Sequence, residues 1–403
     1  MPLRILLSEA SSTSARQTLY ALGRMGHTID VCDFQSLCLG RFSRYVRAFY
    51  RCPPFNTAPR AYLDFLEERL RREHYDVLFP VHDQVFLLAR CRQRFVGKVG
   101  LALPDFAAVE QLQSKAAFAR LLQTLALPQP RTTVLGDPQE LREIDDYPCY
   151  VKLNYSTAGQ GVWRVENREN MQLVMQSLPP GKIVVQQAID GTYHAAQCVF
   201  QHGTLVGVHC YRARAVGVGG SAHARESVSH GEVREHAARL GAHLGWHGAM
   251  HMEYFCDAAA KGPIYIEANP RIGETFNATL SGANLCELLV RVSMDEKVLP
   301  LAPSSPGVRT HALMMSLMGL AERGAGRPAI LAELWRAWTG RGVYQQSQDE
   351  LTRPWEDPWS LLPALVVGLQ VLAAPQRVRQ TIRRTVDSYA LNAEAVRQIA
   401  ALS

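Results

Sequence analysis

The first hundred residues alternate short apolar runs with segments of helical spacing. Arg4 to Leu7 is an apolar run, Ser8 to Ser14 is small and polar, and Ala15 to Met25 repeats its apolar positions at helical intervals. Thr28 to Asp33 reads as a second strand, Tyr62 to Arg72 as a helix, and Val77 to Val81 as a buried strand. Such alternation predicts a parallel sheet with helices on its faces. Ligands of these folds sit at the C-terminal ends of the strands, where Ser8 to Ser14 and the segment Val81-His82-Asp83 fall. The first loop has no GxGxxG pattern, so no dinucleotide site is read there. An Asp after a strand, such as Asp83, either caps the next helix or meets a substrate.

The pattern changes after residue 110. Ser114 is placed to cap a helix that stops before Pro128. Pro148 to Val165 reads as strand, small-residue loop, strand. Lys152 lies inside the first of these strands, where a charge needs a partner and a phosphate would supply one. The loop Ser156-Thr157-Ala158-Gly159-Gln160-Gly161 offers backbone N–H groups with little bulk to close over phosphates. It is not a Walker A loop, because GxxxxGK[ST] is absent and the lysine precedes the glycines. Two strands flank a turn at Gln201-His202-Gly203, and a third runs from His209 into a glycine-rich loop. Arg212, Arg214 and Arg225 either meet an anionic group such as a carboxylate by bidentate pairing or are solvated edge-strand arginines. Glu232 to Leu244 has helical spacing and leads into two strand-like runs, Met252 to Phe255 and Ile264 to Arg271, with Asp257 to Pro263 as the hairpin between them.

The second of these runs carries the most specific chemistry. Alternation puts Glu267 and Asn269 on one side of a strand, and Pro270 keeps the preceding residue extended, so Arg271 can follow. A carboxylate beside an amide oxygen suits Mg²⁺. An arginine next to them suits charge developing on a transferring phosphoryl group. Glu253 would lie across the hairpin from Glu267 and share the metal.

Composition narrows the classes. The 403 residues are enough for two or three domains. A hydrophobic fraction of 47% and a charged fraction of 20% are globular values. The net charge of +6, from 43 basic and 37 acidic residues, is spread along the chain apart from a cluster at Arg377 to Arg384. That is too diffuse for a nucleic-acid binder, but suits a polyanion such as ATP. The nine cysteines are odd in number and scattered without a CxxC, which argues against a disulfide framework or a zinc knuckle and for buried thiols in a reducing cytoplasm. The N-terminus is too short in apolar residues for a signal peptide. Trp359 to Ala373 is strongly apolar but too short to span a bilayer. It reads as a buried helix or a homodimer contact, with an interfacial membrane helix as the alternative because basic residues follow it.

The runs His251-Met-Glu-Tyr-Phe255 and Tyr265-Ile-Glu-Ala-Asn-Pro-Arg271 resemble the metal-binding signature of ATP-grasp ligases, and within them the carbamoyl-phosphate synthase large-chain-like group. The resemblance covers roughly residues 1 to 295. It implies an α/β ATP-grasp fold: a Rossmann-like domain over 1–110, an ATP-grasp domain over 111–300 with a lid over about 115–190, and a helical C-terminal extension over 301–403. It implies that Lys115, Lys152 and the lid residues Ser156, Thr157, Gly159 and Gly161 hold the phosphates of ATP. Gln187, Ala188 through its backbone, and Ile189 would meet the adenine, although the family often has Glu where Gln187 stands. Glu253, Glu267 and Asn269 would hold one or two Mg²⁺, with Mn²⁺ able to substitute, and Arg271 would stabilise an acyl phosphate. Asp83, Gly273, Glu274 and Asn277 are candidate substrate contacts.

The activity so implied joins a small-molecule carboxylate to an amine, with ADP and phosphate released. The rivals are carbamoyl-phosphate chemistry on bicarbonate and a nucleotide-binding regulatory protein without turnover.

Overall fold

The computed structural model describes residues 1–156, 159–256, 262–351, 355–378, 380, 382 and 390–402. Three sheets organise it. The N-terminal sheet holds β1 (Arg4–Leu7), β2 (Thr28–Asp33), β3 (Val46–Arg51) and β4 (Val77–Phe79), all parallel, in the order β3-β2-β1-β4. The central strands β1 and β4 are short and mostly apolar because helices cover them, whereas the edge strand β3 is only partly buried and carries two arginines. The strand order reverses direction at β1, so a crevice opens between the ends of β1 and β4. Ser8, Glu9, His82 and Asp83 fill that place and all are buried.

The second sheet is a small antiparallel unit. It comprises β5 (Thr132–Leu135), β6 (Cys149–Leu153), β7 (Val162–Val165) and β8 (Ile183–Gln187), in the order β5-β8-β6-β7. The helix Arg168–Ser177 supplies Met171 and Val174 to its core. The helix Lys115–Thr124 begins just before this unit. Ser114 caps it by accepting from the Ala117 N–H, and Asn154 accepts from both the Ser114 hydroxyl and the Ala116 N–H. The first turn of the helix is thereby tied to the end of β6.

The third sheet is the frame of the site. It contains β9 (Thr192–Gln201), β10 (Thr204–Val216), β11 (Ala222–Val228), β12 (Gly248–Cys256), β13 (Pro263–Asn269), β14 (Arg309–His311) and β15 (Gln348–Asp349). Their order is β13-β12-β9-β10-β11-β14-β15. Glu253 pairs directly with Glu267 on one side and with Ala195 on the other, and Ala195 pairs with Tyr211. Cross-strand partners share a face, so Glu267, Glu253, Tyr211 and, by alternation, Arg225 point to one side of this sheet.

The last hundred residues are mainly helical and also add two short strands. β14 and β15 add two strands to the large sheet, and the helices Leu313–Glu322, Arg327–Trp338, Leu362–Ala373 and Ala393–Ala400 surround them. The apolar helix Leu362–Ala373 is not buried: Leu362, Leu365, Val366 and Leu369 are exposed along it, while Val371 packs inward. Among the described residues no helix is long and apolar enough to cross a membrane. Most of the basic cluster that follows lies outside the described residues.

Candidate functional site

The site lies on the Glu253 face of the large sheet, beneath the small sheet. Glu253 and Glu267 are opposed, and both are half-buried. Burial pushes the Glu253 carboxyl up to about 7, and the nearby Glu267 adds to the rise. Two opposed carboxylates repel, and the arrangement holds because cations surround it. Lys115 Nζ lies 3.4 Å from Glu267 Oε1 and donates to the Ser156 carbonyl at 3.1 Å. Lys152, 6% exposed, is held down to about 8 by burial, against which Glu267 and Glu253 pull upward and Lys115 pulls down. Tyr193, one turn of the pleat from Ala195, hydrogen-bonds Glu253, and Asn269 Nδ2 stands 3.4 Å from Glu253 Oε1. Two carboxylates and the Asn269 side chain thus meet at one place; with its amide turned to present the oxygen in place of Nδ2, Asn269 would complete the donor set of a hard divalent cation. A cation there would offset both the burial and the Glu267 repulsion that raise Glu253.

Arg271 continues the line. Its side chain is mostly buried, its Nε is buried without a hydrogen-bond partner among the described residues, and the nearest carboxylate is Asp83, whose Oδ1 is 3.5 Å away. Asp83 stands at the N-cap of the helix Gln84–Arg90 but makes no side-chain cap bond. Its carboxylate is spent on Arg271 and on His82 Nδ1 at 3.3 Å, so Asp83 joins the N-terminal sheet to the site instead of capping. Gly273, at a φ of +72°, crosses close over Gln197 and His251, where a Cβ would come to 3.4 Å of both. Gln197 donates to the carbonyls of Ile272 and Glu274 and so fixes the chain just past Arg271. Glu274 accepts from Thr13 at 3.1 Å. Its carboxyl is held down to about 2 despite burial, because Arg225, Arg271 and His251 face it.

The structure removes some candidates from the cleft. Arg212 and Arg214 converge with Arg309 on Glu226. Arg212 and Glu226 pair across β10 and β11, one residue out of phase with Tyr211, and therefore lie on the opposite face. Arg225 is on the site face but its charge is already matched by Glu350, which it contacts closely, and by Glu274 at 3.6 Å. It positions Glu274 rather than meeting a ligand. The Asn277 amide is consumed internally: its oxygen meets His209 Nε2 at 2.9 Å, and its nitrogen donates to Val308 O and Thr310 Oγ1. At the proposed adenine edge, Gln187 is exposed at the end of β8 and Ile189 follows it half-buried. The Ala188 N–H already donates to the Pro148 carbonyl at 3.0 Å, so Ala188 has its carbonyl, not its amide, to offer a base. In the lid, Gly159 and Gly161 take φ values of +73° and +70°, which side chains rarely adopt. A Cβ on Gly161 would strike Leu153 at 2.8 Å. Thr157 lies outside the described residues.

Tyr193, Gln197, His251 and Glu350 belong to the site's frame; among them only His251 falls within a signature run, where it has no role of its own. The first three share the parity of Glu253 on their strands, which is the one signal that could have found them. Glu350 has no sequence signal; it reaches the site from just past the end of β15, hydrogen-bonding Gln17 and Thr310 as well as Arg225.

Residues 112–275 match the family model described as the ATP-grasp domain. The carbamoyl phosphate synthase large chain of Rubrobacter xylanophilus is 23% identical over 317 residues, covering 70% of this chain and 28% of that protein. The chain thus spans little more than a quarter of that relative's length. Among solved structures, an ADP complex of N5-carboxyaminoimidazole ribonucleotide synthetase superposes with a TM-score of 0.62 at 14% identity, over 84% of this chain and 86% of the other. An L-amino acid ligase from Bacillus licheniformis superposes with a TM-score of 0.58 at 17% identity, over 73% and 75%. Both share the fold described above.

Proposed function

Because this chain carries an ATP-grasp domain and counts carbamoyl phosphate synthase large chains among its homologues, we propose that it is an ATP-dependent ligase. It activates a small carboxylate as an acyl phosphate and joins it to an amine. The observation that carries this reading is the opposed pair Glu253 and Glu267, overlaid by Lys115 and Lys152 and flanked by the buried Arg271.

Lys115 and Lys152 would hold the phosphates, Lys152 gaining the counter-charge that a buried ammonium needs. Glu253, Glu267 and Asn269 are the residues that would hold Mg²⁺, which supplies charge neutralisation on the β- and γ-phosphates. A substrate carboxylate oxygen forms a bond to the γ-phosphorus as the bond to the β-bridging oxygen breaks, and ADP leaves. The amine nitrogen then bonds to the acyl carbon, phosphate departs with the carboxylate oxygen, and the amine loses a proton. Arg271 offers its Nε–H to the charge that builds on the phosphoryl group, and Asp83 fixes its plane. Positioning and electrostatics account for the rate without a protein nucleophile.

Mg²⁺-dependent ADP release across a matrix of carboxylates and amines tests the proposal. A pair that releases ADP identifies both substrates. Bicarbonate belongs in the matrix because the relatives include carbamoyl phosphate synthase large chains. Mg·ATP binding without ADP release from any pair would instead favour a regulatory nucleotide-binding protein.

Two predictions concern nucleotide capture. Lys152→Met weakens ATP binding by about tenfold to a hundredfold, the worth of one charged hydrogen bond of about 1.5–3 kcal/mol. Unchanged affinity by calorimetry would remove Lys152 from the phosphate site. The second is a bell-shaped pH profile of kcat/KM for ATP. Glu253 must be ionised, so activity rises with pH through about 7; Lys152 must be protonated, so activity falls through about 8. Lys152→Arg keeps its charge, so its alkaline limb moves to higher pH. A limb that stays in place would assign it to another group.

A further inference from the structure

The face of the large sheet that points away from Glu253 holds a second cluster. Cys256, His194 and His230 place one ligand atom each within 4.8 Å of one another. The three come from different elements. His194 stands near the start of β9, opposite Tyr254 on β12. Cys256 is the last residue of β12, and His230 is the N-cap of the helix Gly231–Leu244, which packs on this face. Residues 254 and 256 share a parity opposite to that of Glu253, so the cluster and the nucleotide cleft lie on opposite sides of the sheet.

The details fit metal ligation. His194 Nδ1 lies 2.9 Å from the Thr192 carbonyl. A carbonyl only accepts, so Nδ1 carries the proton and Nε2 keeps its lone pair, which is the usual orientation of a ligating histidine. The ring is fixed by stacking on Tyr254 at 5.4 Å. Cys256 Sγ and His230 Nε2 are 3.4 Å apart. A tetrahedral zinc, with bonds of about 2.3 Å to sulfur and 2.0–2.1 Å to nitrogen, sets that edge at about 3.6 Å. Of the nine cysteines, Cys256 alone is partly exposed; the other eight are buried. Two imidazoles and a thiolate select a borderline-soft ion over Mg²⁺.

We propose that His194, His230 and Cys256 form a binding site for a zinc-class divalent ion, distinct from the magnesium site. The ion would clip the beginning of β9, where the chain leaves the small sheet after β8, to the end of β12 and the start of the helix Gly231–Leu244. It would thereby brace the junction between the two sheets that close on the nucleotide. Three protein ligands leave a fourth position for water.

Cobalt(II) titration of the intact protein tests this, because cobalt in a thiolate site gives a sulfur-to-cobalt charge-transfer band and intense tetrahedral d–d bands. The oxygen ligands of the magnesium site give neither. The expected result is saturation at one equivalent, displacement by zinc, and a thermal unfolding temperature that rises with zinc. Cys256→Ser should lose the charge-transfer band, and His230→Asn, a residue favoured at a helix N-cap, should weaken cobalt binding at least about a hundredfold. Absence of the band in the unmodified protein, or an unaltered band in either variant, would overturn the site. The nucleotide reading stands or falls separately, since it rests on ADP release.

Discussion

Glu267→Gln abolishes ADP release while the protein stays folded. The change removes one negative charge at nearly constant shape. In the cleft that charge faces Glu253 and Lys115. A divalent ion contributes several kcal/mol of charge stabilisation in phosphoryl transfer, and about 1.4 kcal/mol is a factor of ten in rate. Loss of a direct ligand therefore lowers kcat at least about a hundredfold. The fold is not the victim. The amide oxygen still lies beside Lys115, and the repulsion from Glu267 that adds to the burial-driven rise of Glu253 is removed, so the unfolding temperature should hold or rise. Normal turnover in this variant would refute the metal assignment. A lower unfolding temperature would refute the account of like-charge repulsion.

Arg271→Lys lowers kcat at least about a hundredfold with little change in KM for ATP. Removal of one preorganised donor aimed at developing charge costs about that much. Lysine keeps a positive charge beside Asp83 and Glu274, so neither carboxylate is stranded, yet it lacks the planar fork and cannot reproduce the Nε–H direction. The effect should fall on kcat because the charge that Arg271 meets grows only as the phosphoryl group transfers. A variant whose KM rises while kcat is unchanged would make Arg271 a ground-state binding residue and nothing more.

The fold class is legible because its signals are local. Alternating runs announce the N-terminal parallel sheet, and the parity of Glu253, Glu267 and Asn269 follows from strand alternation alone. Lys115 and Lys152 stand out as charges at a helix start and inside an apolar strand. What is not legible depends on register and on distance. Whether Arg212 and Arg214 face the cleft turns on their phase relative to Tyr211 and Glu226, and a shift of one residue exchanges the faces. Asn277 looks available until the fold brings His209 and Thr310 to it. Arg225 looks free until Glu350 arrives from a position 125 residues later. β14 and β15 have three and two residues, too few for any periodicity, so the last hundred residues read as mainly helical without them. The cluster at His194, His230 and Cys256 has no sequence spacing to betray it, since three separate elements supply it.

The central claim is that a carboxylate attacks ATP in the cleft between Lys152 and Glu267. It is tested most directly by labelling both oxygens of the carboxylate with heavy oxygen, using the acid and amine that release ADP, and weighing the released phosphate. One labelled oxygen per phosphate, equal in amount to the product formed, is the predicted result, because the acyl phosphate bridge leaves with the phosphate. Unlabelled phosphate alongside product would mean that water attacks the nucleotide and that the carboxylate is never activated there.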